Sequence, residues 1–294
     1  MRANSMCISC MIERQEKLIR DFGDEAKKSE YMHEVLGILH EHGRVQSAPW
    51  LVEKINQLYE KYWGTGEDYT ILKHRYNNLL LEKEQVITQR IKTSPDWLKD
   101  GIKYAAVGNY IDFSAVANVT EEAFTTLLER VNTEQIPEEE YRHFRHELEN
   151  AKTLVYLTDN CGEIVLDKIL IRLIQELYPH LEITVIVRGK DVINDATMED
   201  AKESGLTGYV RCIGNGNGAP GTVFNILSEE AGQALKAADM IISKGQGNFE
   251  SMVGEGFNPY YIFLCKCELF VRRFGLQQYE TVFVKEERLS LDNS

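Results

Sequence analysis

From about residue 7 to residue 150, apolar residues recur at intervals of three and four, as in "CMIERQEKLIRDF", "YMHEVLGILHEH", "PWLVEKINQLYEKYW" and "YNNLLLEKEQVITQRI". That period places them on one face of a helix, so the pattern predicts amphipathic helices and almost no strand in this half. The punctuation agrees: Ser47 and Pro49 in "SAPW" mark a helix start, "GTGED" a loop, and "TSPDWLKDGIKYAAVGNYIDF" a restart after Pro95. "QIPEEEYRHFRHELEN" reads as a solvated helix with acidic residues where the helix dipole favours them. Beyond residue 150 the texture changes to short β-rich runs, "TLVYLTDN", "EITVIVRG", "GYVRCIGN", "DMIISKGQG" and "YYIFLCK", separated by helical stretches or longer connections. Nearly unbroken apolar runs such as "TLVYL" and "ITVIV" suit strands covered on both faces, and the alternation with helices implies a mostly parallel sheet. The expected architecture is α/β: a Rossmann-like, mostly parallel sheet with helices on both faces in residues 151–294, preceded by an all-helical N-terminal domain in residues 1–150. No internal repeat is visible.

Composition narrows the class. The chain has 294 residues, 43% of them hydrophobic and 27% charged, enough apolar material for a large globular core. Its 46 Asp and Glu against 33 Lys and Arg give a formal net charge of -13. Such a surface repels nucleic acid and anionic membranes, so neither is expected as a partner. No apolar run is long enough to span a bilayer and the N-terminus lacks the apolar core of a signal peptide, so the expected location is the cytoplasm.

In an open parallel sheet, ligands bind where the carboxyl ends of strands meet helix N-termini, so the polar residues just after each strand are the candidates. They are Asp159, Asn160 and Glu163 after the first strand, Asn194 and Asp195 after the second, Asn215 and Asn217 in "GNGNGAPG" after the third, and Lys244, Gln246 and Asn248 in "SKGQGNFES" after the fourth. Oxygen donors from Asp159, Asn160 and Asp195 suit a hard divalent cation such as Mg2+ or Mn2+. The two aspartates lie about one strand-helix-strand unit apart, so they can occupy neighbouring strand ends. Taken singly, each of these residues reads equally well as a helix cap or turn former. Lys244 between glycines describes an anion site, in which backbone N–H groups approach closely and the ammonium supplies charge. The spacing of a Walker P-loop is absent, and "GNGNGAPG" does not satisfy the dinucleotide fingerprint, which argues against a nicotinamide enzyme.

Cys7 and Cys10 form a C-x-x-C at a helix start, and Cys265 and Cys267 in "FLCKC" would complete a four-sulfur metal site; the alternative is that all four serve as small hydrophobes. The histidines, among them His33, His40, His42, His143 and His146, sit among charged residues on helices and read as surface.

Together "TDNCGEIVLD", "VRGKDVINDAT", "ISKGQGNFES" and "VGNYIDF" resemble the DUF89 family of metal-dependent damage-control phosphatases, over most of the chain. The N-terminal C-x-x-C resembles the prokaryotic subgroup of that family. The resemblance implies hydrolysis of phosphate monoesters of small metabolites, such as sugar phosphates, nucleotides or damaged phosphometabolites, with a bound divalent metal, Mg2+, Mn2+, Co2+ or Ni2+. It implies Asp159 and Asn160 as the metal-binding pair, Asp195 as the third ligand and Lys244 as the lysine near the phosphate. It also implies that the segment holding Asn109 and Asp112 faces the cleft. The substrate would be held by Asn109, Asn194, Lys244, Asn248 and the backbone of Gly245 and Gly247. Cys161 and Asp191 depart from the family pattern, where a small residue such as Ala and a Pro are common; the thiol of Cys161 would add sensitivity to oxidation.

For phosphoryl transfer the protein supplies mainly position and charge. The expected catalytic set is Asp159, Glu163, Lys244 and Asp112: a water or the Asp159 carboxylate attacks, and Glu163 or Asp112 handles protons. Two rivals remain, a protein that binds a phosphometabolite without turning it over, and an adenosine-cofactor methyltransferase. The second would need a Gly-rich turn where "DNCGE" stands.

Overall fold

The computed structural model describes residues 1–66, 68–110 and 121–289. The N-terminal half is helical, as its period predicts: α1 Ser5–Ile19, α2 Glu25–His42, α3 Ala48–Trp63, α4 Thr70–Lys92, α5 Trp97–Val107, α6 Glu121–Thr133 and α7 Glu138–Asn150. The start signals act locally. Ser47 is the N-cap of α3 with Pro49 in its first turn, and Asp96 caps α5 by accepting the Lys99 N–H. Between α5 and α6, Gly108–Tyr110 form a 3-10 turn.

Among the described residues six strands form one sheet: β1 Thr153–Leu157, β2 Glu182–Val187, β3 Arg211–Gly214, β4 Met240–Lys244, β5 Tyr260–Leu264 and β6 Thr281–Lys285. Their spatial order is β3-β2-β1-β4-β5-β6. Pairing is parallel throughout except for β5 with β6. The connecting helices are α8 Glu163–Leu177, α9 Met198–Glu203, α10 Glu229–Ala237, α11 Gln246–Met252 and α12 Glu268–Phe274. β6 is the strand that the sequence did not reveal: five residues at a sheet edge, whose half-buried "TVFVK" lacks the continuous apolar run of the inner strands. The chain direction of travel reverses between β1 and β4, which opens a crevice at their carboxyl ends. Leu157 pairs with Ile186 and with Ser243, so β1, β2 and β4 end level with one another.

One core face joins Leu80 and Ile87 of α4, Ile102 of α5 and Phe144 of α7 to Leu154, Tyr156, Tyr260 and Ile262 of the sheet. The opposite face packs Val155, Leu157 and Ile241 on Leu235, Phe249 and Phe270 from α10, α11 and α12. A third cluster unites α1, α2 and α3 through Met11, Tyr31, Leu51 and Ile55, and reaches Ala219 and Val223 in the loop after β3. The change of texture at residue 150 is thus a change of element type, and packing runs across it. Among the described residues no helix is long and apolar enough to cross a membrane.

Phe144 tests that continuity, because its ring lies 4.9 Å from Tyr260 and 5.3 Å from Phe283. Phe144→Ala is expected to cost about 3–5 kcal/mol, measured by urea denaturation, with far-UV circular dichroism and tyrosine fluorescence moving in one transition. A variant that lost helical signal alone, with the sheet intact, would contradict a shared core.

Candidate active site

The site begins where β1 stops. Gly162 turns the chain at φ 68 and hands it to α8, whose first residue is Glu163. The Gly162 N–H donates to Asn77 Oδ1 of α4 at 2.6 Å. The loop after β2 folds back onto this turn: the Ala196 N–H donates to the Asp159 carbonyl and the Cys161 N–H to the Asn194 carbonyl, both at 2.8 Å. Asn160 and Asp195 consequently pair as an isolated β-bridge. The fold-back holds Ile193 at φ 46, a conformation β-branched residues rarely adopt. Backbone alone therefore brings Asp159, Asn160 and Asp195 together.

The side chains then interlock. Asn160 Nδ2 donates to Asp159 Oδ2 at 2.8 Å and to Glu163 Oε2 at 3.0 Å. Asn109 Nδ2, arriving from the 3-10 turn, bonds the same two oxygens at 2.6 and 2.9 Å. Beneath them lies Lys244, wholly buried, whose ammonium meets Glu163 Oε1 at 2.6 Å, Asp167 Oδ1 at 2.7 Å and the Ala105 carbonyl at 2.7 Å. Asp167 Oδ1 also accepts the Tyr156 hydroxyl at 2.6 Å. On the other side Arg188 Nε bonds Asp195 Oδ2 at 2.6 Å, and its Nη2 lies 3.7 Å from Asp159 Oδ1.

Four carboxylates thus share two buried cations. Burial pushes the Asp159 carboxyl well above the usual carboxylate range, and the nearby charges of Glu163 and Asp195 push it further. Asp195 is raised by burial despite Arg188, and Asp167 by burial despite Lys244. Burial alone would lower Lys244, but Asp167 and Glu163 outweigh it and the ammonium is held charged.

Several expectations need correction. Lys244 does not present its ammonium to the cleft, because three acceptors already take its three protons. Glu163 is not placed to handle protons: it is 1% exposed, and Lys244, Asn109 and Asn160 occupy both its oxygens. The Gly245 N–H continues the sheet by donating to the Ile262 carbonyl at 3.1 Å, so it is not an anion donor. What requires glycine there is Asp159, since a Cβ would lie 2.1 Å from its Cγ. Gly247 similarly admits the Pro220 carbonyl, which a Cβ would approach to 2.0 Å. Asn248 is a buried brace: its amide donates to the Thr158 and Lys244 carbonyls and accepts from Arg188 and Thr222. Asn194 is half-buried and contributes its carbonyl to the turn. Asn215 likewise works as a turn former, accepting the Gly189 and Asn217 N–H groups. Asp112 lies outside the described residues.

Among the described residues no three His, Cys, Asp or Glu side chains converge as a metal-holding group. Of the two readings of Cys7, Cys10, Cys265 and Cys267, the four-sulfur site is accordingly not seen among the described residues. Cys7, Cys10 and Cys267 do lie close enough to act on one another electrostatically, with the Cys7 and Cys267 thiols raised by burial. Cys161 is buried and its thiol pushed strongly upward by that burial, which opposes the expected sensitivity to oxidation.

Sequence reasoning missed Arg188, Asp167, Tyr156, Asn77 and Lys266. Arg188 closes the apolar run "ITVIVR", and a charge at that place was a readable signal. Asp167 follows Glu163 by four on an otherwise buried helix, which puts both acids on one face. Lys266, half-buried just beyond β5, lowers the Asp159 pKa through space, but its neighbours in "FLCKC" drew attention to sulfur instead.

The sequence model of the damage-control phosphatase ARMT1-like domain matches residues 3–282. A protein of Archaeoglobus fulgidus named damage-control phosphatase is 31% identical over 285 residues, covering 94% of this chain and 96% of its own. A damage-control phosphatase of Pyrococcus horikoshii is 27% identical over 228 residues, 77% of each chain. A crystal structure of a DUF89 family protein from Pyrococcus horikoshii superposes with a TM-score of 0.83 at 25% identity, covering 97% of this chain and 99% of that one.

Gly245 offers a direct test of the crowding. It combines φ 82 and ψ 154, a region open essentially to glycine alone, with the clash against Asp159. Gly254 has φ +84 and nothing within 4 Å of the place a Cβ would take, so Gly254→Ala reports backbone strain alone. Gly245→Ala is expected to lose about 1–3 kcal/mol from strain and more from displacing Asp159, read as a larger drop in urea midpoint than Gly254→Ala. Equal drops would mean that Asp159 is not confined by Gly245.

Proposed function

Because this chain belongs to the damage-control phosphatase ARMT1-like family, we propose that it is a phosphatase that hydrolyses phosphate monoesters of small metabolites with a divalent cation held by Asp159, Asn160 and Asp195. The observation that carries this reading is the donor set. Within the described residues no hydrogen bond falls on Oδ1 of Asp159, Asn160 or Asp195, whereas Oδ2 of both aspartates is taken. Three oxygens from two carboxylates and an amide fit a hard divalent cation, and nitrogen or sulfur donors are absent from the set. The charge also fits, since four carboxyl groups, Asp159, Glu163, Asp167 and Asp195, are gathered around only two cationic side chains, Arg188 and Lys244.

A divalent cation in that place supplies charge neutralisation for a transferring phosphoryl group. The protein's own contribution is to hold the ligands still. Two amide groups pin Asp159 Oδ2, Arg188 pins Asp195 Oδ2, and the other oxygen of each aspartate takes no hydrogen bond from the described residues. The acidic turn "DNCGE" after β1 differs from the Gly-rich turn that an adenosine cofactor would need, which weakens the methyltransferase reading. The nearby positive field comes from Lys266 and Arg188, both of which act on Asp159.

The test is phosphate release from sugar phosphates, nucleotides and p-nitrophenyl phosphate by metal-stripped protein, with Mg2+, Mn2+, Co2+ or Ni2+ restored singly. Release is expected only with metal, and Asp159→Asn should lower kcat/KM by more than the roughly 10–100-fold typical of losing an outer-shell partner. Folded protein that binds a cation yet releases no phosphate with any substrate would favour a metabolite-binding protein instead.

A further inference from the structure

An amide offers two N–H donors on one side and a carbonyl oxygen on the other, and which side faces a carboxylate is decided by charge. At Asn160 both N–H groups meet anions, Asp159 Oδ2 and Glu163 Oε2, at 2.8 and 3.0 Å. Turning the amide over would set its oxygen against those two carboxylate oxygens. Glu163 therefore fixes the orientation in which Asn160 Oδ1 is left for another partner, and it fixes Asn109 in the same way.

Glu163 can do this only while its own carboxylate stays put. Its other oxygen is held by Lys244, and the two remaining protons of that ammonium are held by Asp167 and by the Ala105 carbonyl of α5. Asp167 is in turn held by the Tyr156 hydroxyl. All four side chains are at most 1% exposed, so no water competes for these bonds. Asp167 Oδ2 lacks a partner, so its single shared oxygen carries the whole connection.

We propose that Tyr156, Asp167 and Lys244 form a positioning relay that acts through Glu163 to fix the Asn160 carbonyl toward the cation. The relay rests on the reading that Asp159, Asn160 and Asp195 hold a divalent cation, and it assigns Asp167 and Tyr156 a function beyond core packing. None of the three touches substrate; each acts by immobilising the next.

The experiment is Mn2+ binding by metal-stripped protein, followed by loss of the free-ion electron paramagnetic resonance signal, with thermal melting recorded beside it. Asp167→Asn keeps the shape and removes the charge, and should weaken Mn2+ binding by about 10–100-fold, the range seen for outer-shell partners. Tyr156→Phe should shift the dissociation constant the same way by less. If Asp167→Asn does not fold, Glu163→Gln carries the test with the same expected range. Variants that melt earlier but bind Mn2+ within twofold of wild type would make the cluster purely structural and overturn the relay. Wild-type protein that leaves the Mn2+ signal unchanged would overturn the relay together with the cation site. Wild-type protein that binds Mn2+ but releases no phosphate would reject the phosphatase reading while the relay still stands or falls on the dissociation constants.

Discussion

Everything at the crevice depends on burying four carboxylates around two cations. Isolated, each such charge would cost several kcal/mol to remove from water, and the arrangement is made tolerable by the bonds the groups share, although Asp167 Oδ2 and Arg188 Nη2 lack partners. The matching divides into two layers. In the lower one Lys244 is saturated by Glu163, Asp167 and a backbone carbonyl. In the upper one Arg188 bonds Asp195 closely, stands farther from Asp159, and leaves one oxygen of each aspartate without a bond from the described residues. The lower layer saturates its ammonium; the upper one keeps oxygens without a bond from the described residues.

The N-terminal helices are part of this construction. α4 supplies Asn77, which receives the Gly162 N–H and donates to Asp200 and Glu203. It also supplies Lys73, whose ammonium lies 2.7 Å from Asp200 and 3.3 Å from Asp191. One helix therefore grips both the turn after β1 and the segment after β2, the two pieces of chain that carry Asp159, Asn160 and Asp195. α5 contributes the Ala105 carbonyl beneath Lys244, and the 3-10 turn that follows contributes Asn109. Removing one partner from such buried pairs typically costs about 3–5 kcal/mol, so site geometry and fold stability are coupled here.

That coupling explains what could be read from sequence. Asp159, Asn160 and Asp195 were legible because parallel strands place their following residues at one edge, a consequence of period and order alone. The identities of Lys244, Gly245 and Asn248 were legible in the same way, but their tasks were not. The fate of the Lys244 ammonium depends on Asp167, 77 residues away, and on the Ala105 carbonyl, 139 residues away. A glycine beside a lysine looks like an anion cradle until the Asp159 carboxyl is found where the Cβ would go. The domain texture was legible, whereas the shared core across residue 150 was not, because helical period records that a face is apolar without naming what covers it. β6 escaped because its apolar stretch is only Val282, Phe283 and Val284, too short to stand out in the sequence although both of its faces pack on the cores.

Charge also sets how the site's ligands depend on one another. A phosphate monoester would bring further negative charge to a place where four carboxyl groups already surround two buried cations. Lys244 has no proton to offer it, which leaves the Arg188 Nη2, buried and without a hydrogen-bond partner, and the half-buried Lys266 as the positive groups that act on Asp159. On the proposed reading, a divalent cation held by Asp159, Asn160 and Asp195 would offset this negative charge, and by reciprocity a bound phosphate monoester would strengthen the hold on the cation by the same factor. On that reading the binding of the two is one linked equilibrium, and the residues that govern it would include those that never meet the substrate, because Asp159 and Glu163 take the N–H groups of Asn160 and so orient its oxygen.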